Sequence, residues 1–311
     1  MLPLHQAQEI KDSLKAYLRS SFDFQDPALR VSFEEFINHP EQGLFKGPYL
    51  SVKLPFVKAS SEAMEAVPLE VKPDWPPYRH QILSWERLST REKAPQPTLV
   101  TTGTGSGKTE SFLYPILDYC LKEHQRPGIK CIIMYPMNAL ATDQAKRLAE
   151  IIHEDARLKG KVTAGLFIGD SSVNSLPTLM GEDHVIERRD AIVADPPDIL
   201  LTNFKMLDYG LMQYRFAKLW EGNEAQPDLL QFLVLDEMHT YDGAQGTDVA
   251  NLIRRLKLKL DMPQGQLCPV GTSATLGSGE DASKELASYA TTLFGEEVGE
   301  DAVITESRLS S

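Results

Sequence analysis

A lysine and a threonine follow a glycine-rich turn within the decapeptide TTGTGSGKTE, residues 101–110. An apolar run, PTLVTT, leads into the turn, and a helical pattern, KTESFLYPILDYCL, begins at the lysine. Backbone N–H groups in such a turn, together with the amino end of the following helix, attract anions. The pattern therefore predicts a phosphate-binding loop, in which Lys108 would reach the β- and γ-phosphates of a nucleotide and Thr109 would bind Mg²⁺. A chance Gly-Lys-Thr in an ordinary turn is the alternative.

The turn departs from the usual spacing G-x-x-x-x-G-K-[ST] at its first position, where Thr102 stands in place of glycine. The later glycines still allow the backbone to turn so that its N–H groups face inward. We predict that the whole turn contacts the nucleotide, through Gly103, Thr104, Gly105, Ser106, Gly107, Lys108 and Thr109.

Two adjacent acids end a second apolar run, QFLVLDEMH. An acid at the carboxyl end of a strand beside the loop strand can bind the Mg²⁺ of a nucleotide. A second acid can orient and deprotonate the attacking water. We therefore predict Asp236 as a metal ligand and Glu237 as the general base, with Lys108 in the same catalytic set. Alone, the pair could be a solvated strand end, but together with the loop it indicates a nucleotide site.

Six short apolar runs alternate with helical segments from residue 78 onward. They read PTLVTT, KCIIMYP, VTAGLFIG, DILLTN, QFLVLDE and CPVGTSAT. Brief runs rich in Val, Ile and Leu are typical of strands buried on both faces. Their alternation with helices predicts an α/β fold with a mostly parallel sheet flanked by helices. The final stretch, DAVITESRLSS, could be a last strand or the start of a linker.

Residues 1–77 have a different character from residues 78–311. An amphipathic helix is predicted near the start, because Ile10, Leu14 and Tyr17 recur at helical spacing. A proline-rich, irregular region follows, and its aromatic residues argue against full disorder. We interpret residues 1–77 as an accessory segment on a core domain, with a simple linker as the alternative.

The composition is that of a soluble globular protein, with 311 residues, 42% hydrophobic residues and no membrane-length apolar stretch. The three cysteines, Cys120, Cys131 and Cys268, are scattered, which argues against a disulfide framework or a zinc site and favours the cytoplasm. The net charge of −12 counts against a polyanionic partner, although binding depends on local patches.

Three stretches in order resemble motifs I, II and III of the superfamily 2 DExH-type helicases and translocases: TTGTGSGKTE, DEMH and TSATLG. In that family the first position of the loop is often Thr or Ala, and in this sequence it is Thr102. The resemblance implies a RecA-like P-loop domain that uses ATP and Mg²⁺, and it disfavours a P-loop kinase. It also implies that His239, Ser273 and Thr275 couple the ATP site to the nucleic-acid site.

Further stretches resemble the remaining motifs of the first domain. In PYRHQ, Gln81 matches the glutamine that reads adenine, and YPMNALATDQAKRL, FIGD and ILLTNFKML resemble the nucleic-acid motifs. The resemblance assigns nucleic-acid contacts to Pro136, Asn138, Gln144, Gly169, Asp170, Thr202 and Asn203. Amides, hydroxyls and backbone N–H groups suit phosphate contact without net positive charge. For Asn138 and for Thr202-Asn203, helix capping is the alternative.

The segment DEMHTYDGAQGTDVANLIRRLKLKL narrows the resemblance. It is similar to the segment after motif II in Hrq1-like and MrfA-like bacterial DNA helicases and in Druantia-type phage-defence helicases. The resemblance favours DNA as the nucleic-acid partner, held as a single strand in the motor groove, while the residues themselves leave RNA open.

Motors of this family have two RecA-like domains, and the second carries an arginine finger in a Q-x-x-G-R-x-G-R-like stretch. The sequence contains no such stretch. We therefore expect a first motor domain, whose partner lies beyond Ser311 or in another chain. An arginine finger contributes ~10³–10⁵ in rate in related hydrolases, so we expect weak ATP binding and slow hydrolysis by this chain alone. A nucleotide-regulated module that binds DNA or a partner without productive hydrolysis is the alternative function.

Overall fold

The computed structural model describes residues 3–40, 42–45, 54–103, 105–169, 176–274 and 281–309. The chain divides into two compact units, residues 1–54 and residues 55–311. The first unit contains the predicted amphipathic helix, α1 (Pro3–Ser21), and a second helix, α2 (Pro27–Asn38). Asp26 caps α2, because its carboxylate accepts hydrogen bonds from the backbone N–H groups of the first turn.

Seven strands form one parallel sheet within the described part of the second unit. They are β1 (Thr98–Thr101), β2 (Cys131–Met134), β3 (Ala164–Phe167), β4 (Ile199–Thr202), β5 (Phe232–Leu235), β6 (Cys268–Ser273) and β7 (Val303–Thr305). Their order across the sheet is β3-β4-β2-β5-β6-β1-β7, and every neighbouring pair is parallel. All six strands predicted from the apolar runs are present, and the fold class is confirmed as α/β.

Helices cover both faces of this sheet, as the alternating pattern predicts. They are α3 (Ser61–Ala66), α4 (Arg79–Leu88), α5 (Lys108–Lys122), α6 (Asn138–Glu154), α7 (Arg189–Ala194), α8 (Phe204–Met212), α9 (Glu221–Glu224), α10 (Gly243–Lys259) and α11 (Ala282–Phe294). Short 3-10 helices span Tyr214–Leu219, Met238–Thr240 and Glu300–Ala302. Successive strand residues point to opposite faces. Accordingly, Ile133 packs with α4, α5 and α6, whereas Ile132 packs with α8, α10 and α11.

The stretch after α11 forms the last strand, which settles the alternative that the sequence left open. In β7, Val303 pairs with Leu99 of β1. The chain then turns alongside residues 55–57, where Val57 N donates to Ser307 O at 2.9 Å.

Residues 55–77 pack within the second compact unit, whereas the sequence placed a boundary at residue 77. Val67, Leu69 and Val71 lie in the core beside α4 and α5. The carboxylate of Asp118 accepts the N–H groups of Glu70 and Val71 at 2.7 and 3.0 Å. Apart from the short helix α3, this segment is irregular, and contacts with α5 hold it against the core.

No helix in the described ranges combines the length and the apolar character needed to cross a membrane.

A buried ion pair fixes the start of β2. Lys130 is 1% exposed, and its Nζ donates to Asp198 Oδ1 at 2.6 Å and to two backbone carbonyls. The other oxygen of Asp198 accepts the N–H and the hydroxyl of Thr163 at 2.6 and 2.9 Å. Removal of either side chain would therefore leave the other as a buried charge without its partner.

We expect Lys130→Met to lower the free energy of unfolding by about 3–5 kcal/mol, because it leaves a buried carboxylate without its cation. Urea denaturation measures this change. Lys161→Met, at an exposed position, is the matched control and should stay within about 0.5 kcal/mol of the unsubstituted protein. Equal stability of Lys130→Met and the control would contradict the role assigned to the pair.

Candidate nucleotide and nucleic-acid sites

The glycine-rich turn joins β1 to α5, in the setting that a phosphate-binding loop requires. Gly107 caps the amino end of α5 with φ +74°, and a Cβ there would lie 2.4 Å from Gln81 Nε2. The backbone conformation therefore favours glycine at 107, and a larger residue there would displace the Gln81 side chain. Gly105 also has a positive φ, +76°, and Thr104 lies outside the described residues.

Two buried contacts hold the loop from the protein side. The hydroxyls of Thr102 and Ser106 are 2.5 Å apart, so the residue that departs from the usual loop pattern ties the two sides of the turn together. His80 Nε2 lies 2.9 Å from Ser106 O. Burial lowers the pKa of His80, and a neutral His80 donates to this carbonyl through Nε2–H. His80 could not be identified from the sequence, because a lone histidine on a helix gives no sign of what it contacts.

Gln81 connects the start of α4 to the loop. Its Oε1 accepts from Tyr78 N at 2.8 Å, and its Nε2 donates to Gly107 O at 3.1 Å. It also borders a cavity of about 310 Å³ lined by Trp75, Tyr78, Gln81, Gly105, Gly107, Glu110 and Arg147. The cavity thus combines aromatic rings, an amide and the backbone of the phosphate loop.

The acidic pair meets the loop at the carboxyl edge of the sheet. Lys108 Nζ lies 3.1 Å from Glu237 Oε1, so the lysine after β1 and the second acid after β5 form an ion pair. Glu237 has φ +48°, a left-handed conformation that costs free energy in a residue with a side chain. Such conformations cluster at functional sites, where surrounding contacts stabilise them.

Thr272 of β6 provides those contacts and touches both acids. Its hydroxyl donates to Asp236 Oδ1 at 2.5 Å and accepts from Glu237 N at 3.0 Å. Asp236 is only 9% exposed, and this burial raises the pKa of its carboxyl, while the hydrogen bond from Thr272 opposes the rise. The resemblance predicts coupling roles for Ser273 and Thr275 in the same stretch, but it gives no signal for Thr272.

Ser273 and His239 lie on the other side of the acidic pair. Ser273 Oγ is 3.3 Å from His239 Nδ1, which is 3.4 Å from Glu237 Oε2. The structure therefore brings these two predicted coupling residues together with the general base candidate. The third, Thr275, lies outside the described residues.

A carboxylate from the far end of the chain also contacts the loop. Glu306, directly after β7, accepts the Gly103 N–H at 2.6 Å, and Arg308 Nε donates to Glu306 at 2.6 Å. The Arg308 guanidinium lies 4.2 Å from the centre of the Phe56 ring. Since 203 residues separate Gly103 and Glu306, the sequence gave no signal of this contact.

The donor set around Asp236 fits a nucleotide-bound Mg²⁺. Among the described residues, no group of three or more His, Cys, Asp and Glu side chains could hold a metal ion by itself. Mg²⁺ commonly takes one or two protein carboxylates and completes its coordination with water and substrate phosphates. A single buried carboxylate near the loop, with Thr109 half-buried at the start of α5, matches that preference.

The second carboxylate oxygen of Glu237, Oε2, differs from Oε1, which contacts Lys108. Its Oε2 is buried and accepts no hydrogen bond from the part of the chain that the structure describes. A buried acceptor without a donor is unfavourable unless a ligand or water supplies one.

Four of the predicted nucleic-acid residues line one groove beyond β2, β3 and β4. Asn203 Nδ2 donates to Asn138 Oδ1 at 2.7 Å, while Asn203 Oδ1 accepts from Met206 N and caps α8. The groove has a volume of about 890 Å³ and is lined by Pro136, Met137, Asn138, Ala139, Gly169, Asn203, Phe204, Lys205, Met206, Gln245 and Asp248.

Two other predicted nucleic-acid residues, Thr202 and Gln144, do not line this groove. The Thr202 hydroxyl is buried and donates to Phe167 O at 2.7 Å, so it links two strands. Gln144 borders a separate cavity of about 10 Å³ that Thr109 also lines. Asp170 lies outside the described residues.

Replacing Thr272 with valine should shift the pH dependence of Mg²⁺-dependent nucleotide binding. The Thr272 hydroxyl lowers the pKa of Asp236, so Thr272→Val raises that pKa further. Mg²⁺ requires the ionised carboxylate, and binding should therefore be lost at a higher pH as the solution is acidified. The Kd of a fluorescent ATP analogue with Mg²⁺, measured from about pH 8 down to about pH 5, tests this. Thr272→Ser should follow the unsubstituted protein, and coincident profiles for the valine variant would contradict the assignment.

Comparison with known proteins agrees with this geometry. The model of the DEAD/DEAH box helicase family matches residues 78–282, which contain both the loop and the acidic pair. The chain is 25% identical to the Druantia protein DruE of Escherichia coli (strain UMEA 4076-1), across 89% of this chain and 21% of that protein. It is 26% identical to the uncharacterized ATP-dependent helicase YprA of Bacillus subtilis (strain 168), across 67% of this chain and 24% of that protein. The chain thus spans about a quarter or less of the length of these two relatives.

Solved structures share the fold. The DUF1998 helicase MrfA bound to DNA superposes with a TM-score of 0.58 at 22% identity, over 82% of this chain and 31% of that one. The DEAD-box helicase Mss116 bound to ssRNA and UDP-BeF superposes with a TM-score of 0.54 at 16% identity, over 83% of this chain and 46% of that one. These likenesses confirm the predicted RecA-like α/β fold. With a matching family model over most of its length, the chain belongs to the DEAD/DEAH box helicase family.

Proposed function

We propose that this chain is the first motor domain of an ATP-dependent DNA helicase or translocase. The contact of 3.1 Å between Lys108 and Glu237 carries the proposal, because it joins the phosphate loop to the acidic pair. The groove beside Asn138 and Asn203 lies at the same carboxyl edge of the sheet, where open α/β sheets bind ligands. ATP and a nucleic-acid strand would therefore occupy neighbouring positions on one surface.

The cavity bordered by Gln81 suits the adenine base. Trp75 and Tyr78 offer aromatic rings, which pack well against a planar heterocycle. Each atom of the Gln81 amide already has one partner in the protein. The amide keeps a further N–H and a further lone pair, so it can still hydrogen-bond to a base that presents both a donor and an acceptor.

In the structure, Lys108 forms an ion pair with Glu237. Phosphates bring more negative charge than one carboxylate, so the lysine would transfer to the β- and γ-phosphates when ATP binds. Glu237 would then be free to accept a proton from the attacking water, through a carboxylate whose Oε2 has no hydrogen-bond donor among the described residues. Mg²⁺, held by Thr109 and Asp236 with phosphate oxygens, would supply charge neutralisation during phosphoryl transfer.

A second RecA-like domain, in the same chain or in another, would complete the site. The resemblance to superfamily 2 motors implies that this domain supplies the arginine finger. Similarity to MrfA, whose structure contains DNA, supports DNA as the nucleic acid, although Mss116 with ssRNA shares the same fold.

Substitution of Glu237 tests the assignment. We expect Glu237→Gln to bind ATP with an unchanged Kd and to lower single-turnover phosphate release by about 10²-fold or more, because the amide cannot accept the proton. Lys108→Ala should instead lose ATP binding, and Glu92→Gln, at an exposed position, is the matched control. Phosphate release from Glu237→Gln at the unsubstituted rate would refute the assigned base.

The same measurements of ATP binding and phosphate release test whether a second motor domain is needed. They also test the alternative function of a nucleotide-regulated binding module. Rapid, DNA-stimulated hydrolysis by this chain alone would contradict the need for a partner domain. ATP binding that alters DNA affinity without any phosphate release, even when a second motor domain is supplied, would favour a nucleotide-regulated binding module.

A further inference from the structure

An exposed stripe of side chains runs along α8, away from the candidate nucleic-acid groove. Lys205 lines the groove, and Tyr209 and Met212 follow it at helical spacing, so the three side chains share one face of the helix. The opposite face, including Met206 and Leu207, is buried in the core. Met212 is 67% exposed, although an apolar side chain on a helix end would normally pack against a neighbour.

An exposed aromatic residue and a cationic residue, Tyr214 and Arg215, follow just after the end of α8. Tyr214 is 94% exposed. The Arg215 guanidinium lies 5.1 Å from the centre of the Tyr209 ring and 4.8 Å from that of Phe216. Arg215 also donates a hydrogen bond to the Tyr209 hydroxyl. Two rings and a hydrogen bond therefore hold the guanidinium in place at the surface.

Three cationic side chains are exposed along and just beyond α8. Lys205, Arg215 and Lys218 are exposed, and the nearest acid on α8, Asp208, forms an ion pair with Arg255 at 2.7 Å. Exposed aromatic rings beside cations are the combination that binds unpaired nucleotides, because bases stack on rings and guanidinium planes while cations contact phosphates.

We propose that Lys205, Tyr209, Met212, Tyr214 and Arg215, the α8 stripe, form a second contact for single-stranded nucleic acid that continues the groove. Bases stack on Tyr214 and on the Tyr209–Arg215 pair, and Lys205 contacts the backbone where the strand leaves the groove. From Lys205 to Met212 the helix rises roughly 10 Å, so only a strand longer than the groove reaches the exposed rings. The α8 stripe rests on the proposed function, since it needs a strand in the groove.

The length dependence of binding tests the α8 stripe. Fluorescence anisotropy would give the Kd of single-stranded oligothymidylates of about 4 and about 16 nucleotides. We expect Tyr214→Ala and Arg215→Ala each to weaken binding of the long oligonucleotide by about 5-fold or more, since one lost stacking contact costs at least ~1 kcal/mol. The short oligonucleotide, which ends within the groove, should bind both variants as it binds the unsubstituted protein.

Two further variants separate stacking from other effects. Tyr214→Phe keeps the ring and should bind the long oligonucleotide normally. Tyr17→Ala removes a tyrosine that is 64% exposed in the first compact unit and is the matched control.

Three outcomes would overturn the proposal. If the unsubstituted chain binds both oligonucleotides and the Tyr214 and Arg215 variants bind the long one equally well, the α8 stripe is wrong while the proposed function stands. If both variants weaken the two lengths equally, the residues do not extend the groove. If the unsubstituted chain binds neither length, both the stripe and the nucleic-acid part of the proposed function fail.

Discussion

Strand β6 pairs with β1 on one side and with β5 on the other, and this arrangement brings the candidate catalytic groups together. The phosphate loop follows β1 and the acidic pair follows β5, so one strand separates them at the edge of the sheet. Thr272 lies in that intervening strand and bonds to both acids. The long side chains of Lys108 and Glu237 then span the remaining gap. A parallel sheet makes this possible because all its strands finish at the same edge.

Unusual backbone conformations occur at the two junctions that carry the chemistry. Gly107 and Glu237 both have positive φ, one just before Lys108 and the other at the candidate base. Glycine adopts this conformation without strain, whereas Glu237 depends on the hydrogen bond from its N–H to Thr272. The Thr272 hydroxyl therefore stabilises the backbone conformation from which the Glu237 side chain extends towards Lys108.

Local patterns in the sequence predicted much of this molecule. Apolar runs identified six strands, and the glycine spacing and the acidic pair identified the two halves of the site, because each signal lies within a few residues. His80, Thr272 and Glu306 could not be found in that way, since each acts on a segment distant in sequence. The resemblance assigned a nucleic-acid contact to Thr202. Its hydroxyl instead donates a hydrogen bond to Phe167 O in the neighbouring strand β3. The family and the fold are confirmed, whereas the residue roles stay predictions.

The order of strands across the sheet also determines when the ATP site can exist. β2, β3, β4 and β5 are consecutive in the chain and adjacent in the sheet, so they can assemble early during synthesis. β1 is made before all of them, but its neighbours, β6 and β7, come from the far end of the domain. Until β6 and β7 have left the ribosome, the apolar strand β1 has no neighbouring strand to pair with. The phosphate loop that follows β1 therefore takes its place in the sheet only when almost the whole domain has been made. Nucleotide would stabilise only the finished domain, and the waiting β1 strand is the segment that a chaperone would need to protect from aggregation.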